Sequence, residues 1–218
     1  MSTSTQKIGY EVGKVVALGG TFEVHGEGNR WPNIWQEPKE SLLPEEEPIE
    51  IPLEVENVII EAEPTVIVGE ELRNASEQEA VDAIRGFTIS NDVTALSDWP
   101  SNPNPDGGSS SHAGKMFPTF RPLLSEYKDV EVDELADCEI ESRIDGEVNV
   151  SGSTSDLKFT IPEMVSHVSQ VIHLKPNDII ALGRPKIVDM IYLDDASESL
   201  CRIETLGELV NPVVNLGD

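Results

Sequence analysis

The strongest constraint on the fold is an eleven-residue apolar run, Val58-Ile-Ile-Glu-Ala-Glu-Pro-Thr-Val-Ile-Val68, broken by two carboxylates, Glu61 and Glu63. A run this rich in Val and Ile reads as a strand. On a strand the i, i+2 spacing turns both carboxylates to one face. Two like charges buried together are costly unless a cation neutralises them. A second β-branched run, Gly86-Phe-Thr-Ile-Ser-Asn-Asp-Val93, supplies a third carboxylate, Asp92. Three oxygen donors converging from two strands suit a hard divalent ion, Mg²⁺ before Zn²⁺. The competing reading is a half-buried strand with an acidic outer face in a very acidic protein, and spacing alone favours that one. Glu54 and Glu56 form another i, i+2 pair, ranked lower because their strand is more polar.

The chain has 218 residues, with 41 acidic against 15 basic and a formal net charge of −26. Such a charge argues against nucleic acid and against anionic membrane surfaces, both of which need Lys and Arg. The acids run along the whole length, and hydrophobic residues still make up 38%, so the chain can bury one substantial core. Acidity spread over a folded domain fits a halophilic protein, since concentrated salt screens the self-repulsion. Cys138 and Cys201 form no motif and are expected to be free, buried thiols. With no signal peptide and no apolar stretch of membrane length, the expected location is the cytoplasm.

Along the chain, residues 1–13 read as a polar tail and 14–18 as a strand, with 21–50 irregular. Strands are expected over about 51–56, 58–68 and 86–93. Ser76-Glu-Gln-Glu79 is a capping box opening a helix to about Arg85, with Gly86 suited to its C′ position. Residues 99–112, rich in Pro, Gly and Ser, form a long polar loop; with 21–40 they are expected to act as lids. Cys138–Val150 reads as a hairpin around Asp145-Gly146. Thr160-Ile-Pro-Glu163 caps a helix with Met164, Val165, Val168, Val171 and Ile172 on one face. Further strands follow over 179–182 and 203–214. Short strands outnumber helices without a regular βαβ order, which predicts an α+β fold.

In order and content these segments resemble the fumarylacetoacetate hydrolase family in its short form. Ile60–Gly69 resembles the Glu-x-Glu metal strand, and Gly86–Ala95 the strand bearing the third ligand, Asp92. Gly114-Lys-Met-Phe-Pro-Thr-Phe-Arg-Pro-Leu123 resembles the segment with an active-site lysine, here Lys115. Asp145–Asp156 resembles the hairpin leading to a substrate-binding threonine, Thr154. Leu174–Pro185 and Leu206–Val214 resemble the late strands. The resemblance implies a mixed β-roll or β-sandwich with a few short helices over 14–218, Mg²⁺ or Mn²⁺ on Glu61, Glu63 and Asp92, and a homodimer. It also implies a His and a Glu three residues later, activating water. Gly19-Gly-Thr-Phe-Glu-Val-His25 supplies the His, but Gly28 stands at the second position and Glu27 is the nearby substitute. Further departures are Glu37 for a lysine, Leu96 for an arginine, and Arg184 in a Thr-Gly-Thr-Pro loop.

The implied activity is hydrolysis of a C–C bond in an acylpyruvate- or fumarylacetoacetate-like oxo acid through a stabilised enolate. His25 would transfer a proton, Lys115 would stabilise negative charge, and Thr154 would bind a carboxylate. The same site would serve a 2-oxo acid decarboxylase, dehydratase or tautomerase, which needs less water activation. A third reading, a catalytically weakened metal-binding relative, rests on the departures. Without the resemblance His25 reads as an exposed loop residue, Lys115 as a surface residue and Thr154 as a turn residue. His112 is expected to face solvent, and His167 and His173 to be structural.

Overall fold

The computed structural model describes residues 8–25, 30–53, 55–97, 112–194 and 196–217. Glu27, Glu54 and most of the 99–112 loop lie outside them. In chain order the strands are β1 (Val15–Gly19), β2 (Asn33–Glu37), β3 (Leu42–Pro44), β4 (Ile49–Ile51), β5 (Glu56–Ile59) and β6 (Ala62–Val68). Helix α1 (Glu77–Asp82) precedes β7 (Ile84–Asn91), β8 (Thr94–Ser97), β9 (Arg121–Leu123), β10 (Glu139–Ile144) and β11 (Glu147–Ser153). Helix α2 (Ile161–Val171) precedes β12 (Ile179–Ala181), β13 (Lys186–Ile187), β14 (Glu198–Ile203) and β15 (Gly207–Asn215). Among the described residues these form a seven-stranded sheet in the order β2-β1-β12-β6-β7-β9-β3, a six-stranded sheet β13-β11-β10-β14-β15-β4, and the pair β5-β8.

The larger sheet is mixed, with β1 parallel to β12 and β3 parallel to β9. Its central strand β6 is buried at every position, so it reads as a continuous apolar run. β10 alternates buried positions with exposed or half-buried ones, as a strand with one wetter face must. Strands β6 and β7 pack against β14 of the second sheet. The main core lies there, with Val66, Phe87, Ile89, Ile140 and Ile203 joined by Met164, Val165 and Val168 of α2. This is the expected α+β architecture.

Chain connectivity shows that the seven-stranded sheet curls. β2 and β3 stand at its two ends, six strand intervals apart, yet only Pro38 and a single 3₁₀ turn, Lys39–Ser41, join them. A flat sheet would separate the ends by about 29 Å. The link from Glu37 to Leu42 reaches at most about 18 Å. The sheet must therefore bend until its ends approach, and side chains from distant strands then meet on its concave side.

Several local expectations change. Residues 21–50 are not irregular throughout, because β2, β3 and β4 lie there. Residues 8–13 do not behave as a tail: Ile8 and Val12 are buried and Tyr10 packs edge-on to Tyr127. Helix α1 has its Ser76 capping box but stops at Asp82, and Gly86 falls inside β7. Pairing of Ile84 with Val68 on β6 captures the chain before a further helical turn can form. The run 58–68 is broken between β5 and β6, where Asn149 Nδ2 donates to the Ile60 carbonyl over 2.9 Å. Val171, expected on the buried face of α2, is exposed at the helix end. The Asp145-Gly146 hairpin holds, with both residues at positive φ, 48° and 85°. Cys138 and Cys201 are free and buried.

Candidate metal centre and active site

Register brings the three carboxylates together. β6 and β7 pair antiparallel with Ala62 opposite Asn91 and Glu63 opposite Ser90. One step further, the Asp92 N–H donates to the Glu61 carbonyl over 2.9 Å, and the Glu61 N–H donates to Asn91 Oδ1 over 3.1 Å. Asp92 thus lies directly across from Glu61, on the face that Glu63 shares. Glu61, Glu63 and Asp92 are all buried, and each offers an oxygen within 4.8 Å of the others. β9 continues the row. Ser90 pairs with Leu123, and the Val93 N–H donates to the Phe120 carbonyl, which sets Arg121 beside Asp92.

Three cations surround the cluster. Lys115, on the 3₁₀ turn His112–Lys115, donates from Nζ to Asp92 Oδ2 over 2.5 Å, to Thr94 Oγ1 over 2.7 Å and to Glu61 Oε2 over 3.3 Å. Arg184 Nε donates to Glu61 Oε1 over 2.6 Å. Arg121 is fully buried: Nε donates to Glu37 Oε2 over 2.7 Å, Nη2 also bonds Glu37 Oε1, and Nη1 donates to Glu63 Oε2 over 3.0 Å. Burial works against ionised Glu61, but the Lys115 and Arg184 charges outweigh it and hold its pKa at about 2. Burial and then the Asp92 charge push Glu63 well above the usual carboxylate range. Asp92 is raised by burial, against the pull of Arg121 and Lys115. Lys115, despite burial, is held protonated by Asp92 and Glu61.

These donors fit a divalent cation. They are hard oxygens from three side chains. One oxygen, Asp92 Oδ1, is buried without any hydrogen bond, although Arg121 Nη2 stands 2.9 Å away as an ion-pair partner. An unbonded, buried carboxylate oxygen is the group a cation would take up.

The cluster opens into a cavity of about 550 Å³ at one end of the curled sheet. Its walls include Leu18, Trp35, Ile59, Leu96 and Met190, with His25, His112, Lys115 and Arg184 at the polar side. His25 ends a 3₁₀ turn anchored by buried Phe22, which bridges to Leu157. The ring keeps an exposed edge, yet partial burial and the Arg184 charge lower its pKa. The Arg184 loop is clamped to the end of β1. Thr21 Oγ1 donates to the Leu182 carbonyl over 2.7 Å, and Gly183 has φ +84°, where a Cβ would collide with that hydroxyl.

The structure therefore gathers His25, Glu61, Glu63, Asp92 and Lys115 at one cavity. Thr154 is not at this cavity; it is buried, and its Oγ1 accepts from the Cys138 N–H over 2.8 Å, a turn role. His112 does not face solvent freely but packs with its ring tilted 30° to Trp35, centroids 4.5 Å apart, within the cavity wall. His167 stacks on Trp31, and His173 pairs with Glu71. Glu56 is exposed, away from the cluster. Sequence reasoning passed over Arg121, and it treated Glu37 and Arg184 only as departures. A lone arginine inside Phe117-Pro-Thr-Phe-Arg-Pro-Leu123 was the available signal, because a charge in an apolar run needs a buried partner.

The chain is similar in sequence and in fold to several known proteins. A fumarylacetoacetate hydrolase domain-containing protein 2 homolog from Dictyostelium discoideum is 30% identical over 93% of this chain and 72% of its own length. Human mitochondrial oxaloacetate tautomerase FAHD2A is 31% identical over 92% of this chain and 66% of its own. The crystal structure of 2-hydroxyhepta-2,4-diene-1,7-dioate isomerase from Mycobacterium marinum superposes with a TM-score of 0.79 at 28% identity, covering 95% of this chain and 76% of that one. Residues 7–214 match the family described as fumarylacetoacetate (FAA) hydrolase C-terminal, and the chain belongs to that family.

Proposed function

We propose that this chain is a divalent-metal-dependent enzyme that moves a proton at the carbon next to the oxo group of a small 2-oxo acid. The carrying observation is that His25 shares a cavity with the buried Glu61, Glu63 and Asp92. Mg²⁺ or Mn²⁺ on those carboxylates would supply Lewis-acid polarisation of a carbonyl and stabilisation of enolate charge. His25, neutral at pH 7, accepts the proton from carbon and returns it. Arg184 and Lys115 contribute fixed positive charge toward a substrate carboxylate. Leu18, Ile59 and Leu96 limit water at the reacting carbon.

Tautomerisation or isomerisation is the preferred reaction, since it needs no water-activating pair. Relatives such as the human oxaloacetate tautomerase support it. A second reading, C–C hydrolysis of an acylpyruvate- or fumarylacetoacetate-like acid, is favoured by the cavity, whose 550 Å³ leaves room beyond a four-carbon acid. Loss of the enol absorbance of oxaloacetate, followed with Mg²⁺ or Mn²⁺ in molar KCl, tests the first. Cleavage of acetylpyruvate under the same conditions tests the second. Failure to accelerate either reaction, with metal bound, would leave the weakened-relative reading in place.

A further inference from the structure

Glu37 stands where the family resemblance puts a lysine, and its carboxylate is fully consumed inside the protein. Arg121 holds it through Nε and Nη2, and Trp35 Nε1 donates to its Oε1 over 2.9 Å. Glu37 comes from the edge strand β2 and Arg121 from β9, near the other end of the sheet; they meet because the sheet curls. The remaining edge of Arg121 faces Glu63 and Asp92, at 3.0 and 2.9 Å. The guanidinium thus divides its charge between a carboxylate that is not in the metal cluster and two that are.

We propose that Glu37 is a positioning residue that cancels the charge of Arg121, so that Glu63 and Asp92 stay available to a divalent cation. The inference rests on the metal-site reading above. The guanidinium must keep a charge beside the cluster, since arginine does not lose its proton in proteins. Without Glu37, that charge is neutralised only by the metal ligands, and it competes with the cation for them. With Glu37, Arg121 becomes a near-neutral clamp whose planar fork fixes both ligands. Glutamate at 37 and arginine at 121 then form one exchange: a buried cation delivered from β9 with its own counter-ion. Trp35 ties the counter-ion to the cavity wall.

The experiment measures Mn²⁺ binding by calorimetry, well below the melting temperature, for wild type, Glu37→Gln, Arg121→Gln and the double variant, with folding checked by circular dichroism. Unit charges a few ångströms apart inside a protein interact strongly enough that Glu37→Gln should weaken Mn²⁺ binding at least tenfold. The double variant restores the charge balance and should bind within about threefold of wild type. A purely structural role for the pair would leave the double variant at least as impaired as the single. If Glu37→Gln does not fold, the double variant against wild type still decides between the two. Equal affinity of wild type and Glu37→Gln, or no recovery in the double variant, overturns the inference while leaving the metal site standing. A wild type that binds no Mn²⁺ overturns both.

Discussion

Replacing Gly183 with alanine separates backbone strain from steric conflict at the edge of the cavity. Gly183 has φ +84°, and an added Cβ would collide with the Thr21 hydroxyl and come within 3.2 Å of the Leu18 carbonyl oxygen. Gly146 offers an internal reference: its φ is +85°, and no atom lies within 4 Å of an added Cβ. Both substitutions carry the same left-handed backbone penalty, about 1–2 kcal/mol. Both gain equally from a less flexible unfolded chain. Only Gly183→Ala must push Thr21 aside, at the expense of its bond to Leu182, worth about 0.5–1.5 kcal/mol. Crowding a packed contact adds about 1–3 kcal/mol. Because the two losses overlap, Gly183→Ala should be about 2–3 kcal/mol less stable than Gly146→Ala. For a chain of this size that is roughly 4–12 °C in Tm. Urea unfolding of both variants at matched KCl measures the difference. Equal destabilisation would refute the clamp between the Arg184 loop and β1, and with it the account of how Arg184 and His25 are held.

Four further outcomes follow from the site and the composition. Glu63→Gln should lose measurable Mn²⁺ binding in calorimetry, whereas Glu56→Gln, exposed on β5, should bind as wild type does; equal binding by both variants would remove Glu63 from the ligand set. His25 has a lowered pKa, so the neutral base survives as pH falls, and the acid limb of kcat/KM should lie below the ordinary histidine value of about 6.5. His25→Ala should lose about 10²–10⁴ in rate while keeping Mn²⁺ affinity, and normal turnover would exclude it as the base. The net charge of −26 should make Tm rise steeply between low and molar KCl; a flat profile would end the halophilic reading.

The local parts of this protein were legible because they are written in neighbouring residues. The Ser76 and Thr160 capping boxes start helices, and Asp145-Gly146 makes its hairpin. The cluster Glu61, Glu63 and Asp92 is visible as carboxylates stranded in apolar runs, although spacing alone favoured a plain acidic face. Where helix α1 stops was not legible, because pairing of Ile84 with Val68 competes with continued helix and is a long-range event.

Tertiary structure decided what surrounds those carboxylates. Periodicity assigns a residue to a face of its own strand but says nothing of the strand opposite; the β6–β7–β9 register is what aligns Glu61, Asp92 and Arg121. The curl of the sheet, forced by the short link between its first and last strands, brings Glu37 to Arg121 from the far end. The meeting of β1 and β12 sets Arg184 beside His25 and Glu61. Thr154 shows the converse: a motif match placed it at the substrate, whereas the Cys138 N–H, sixteen residues away, claims its hydroxyl. The sequence determined which residues could bear the charge. Sheet register and closure, which depend on contacts between distant segments, determined which charges balance one another.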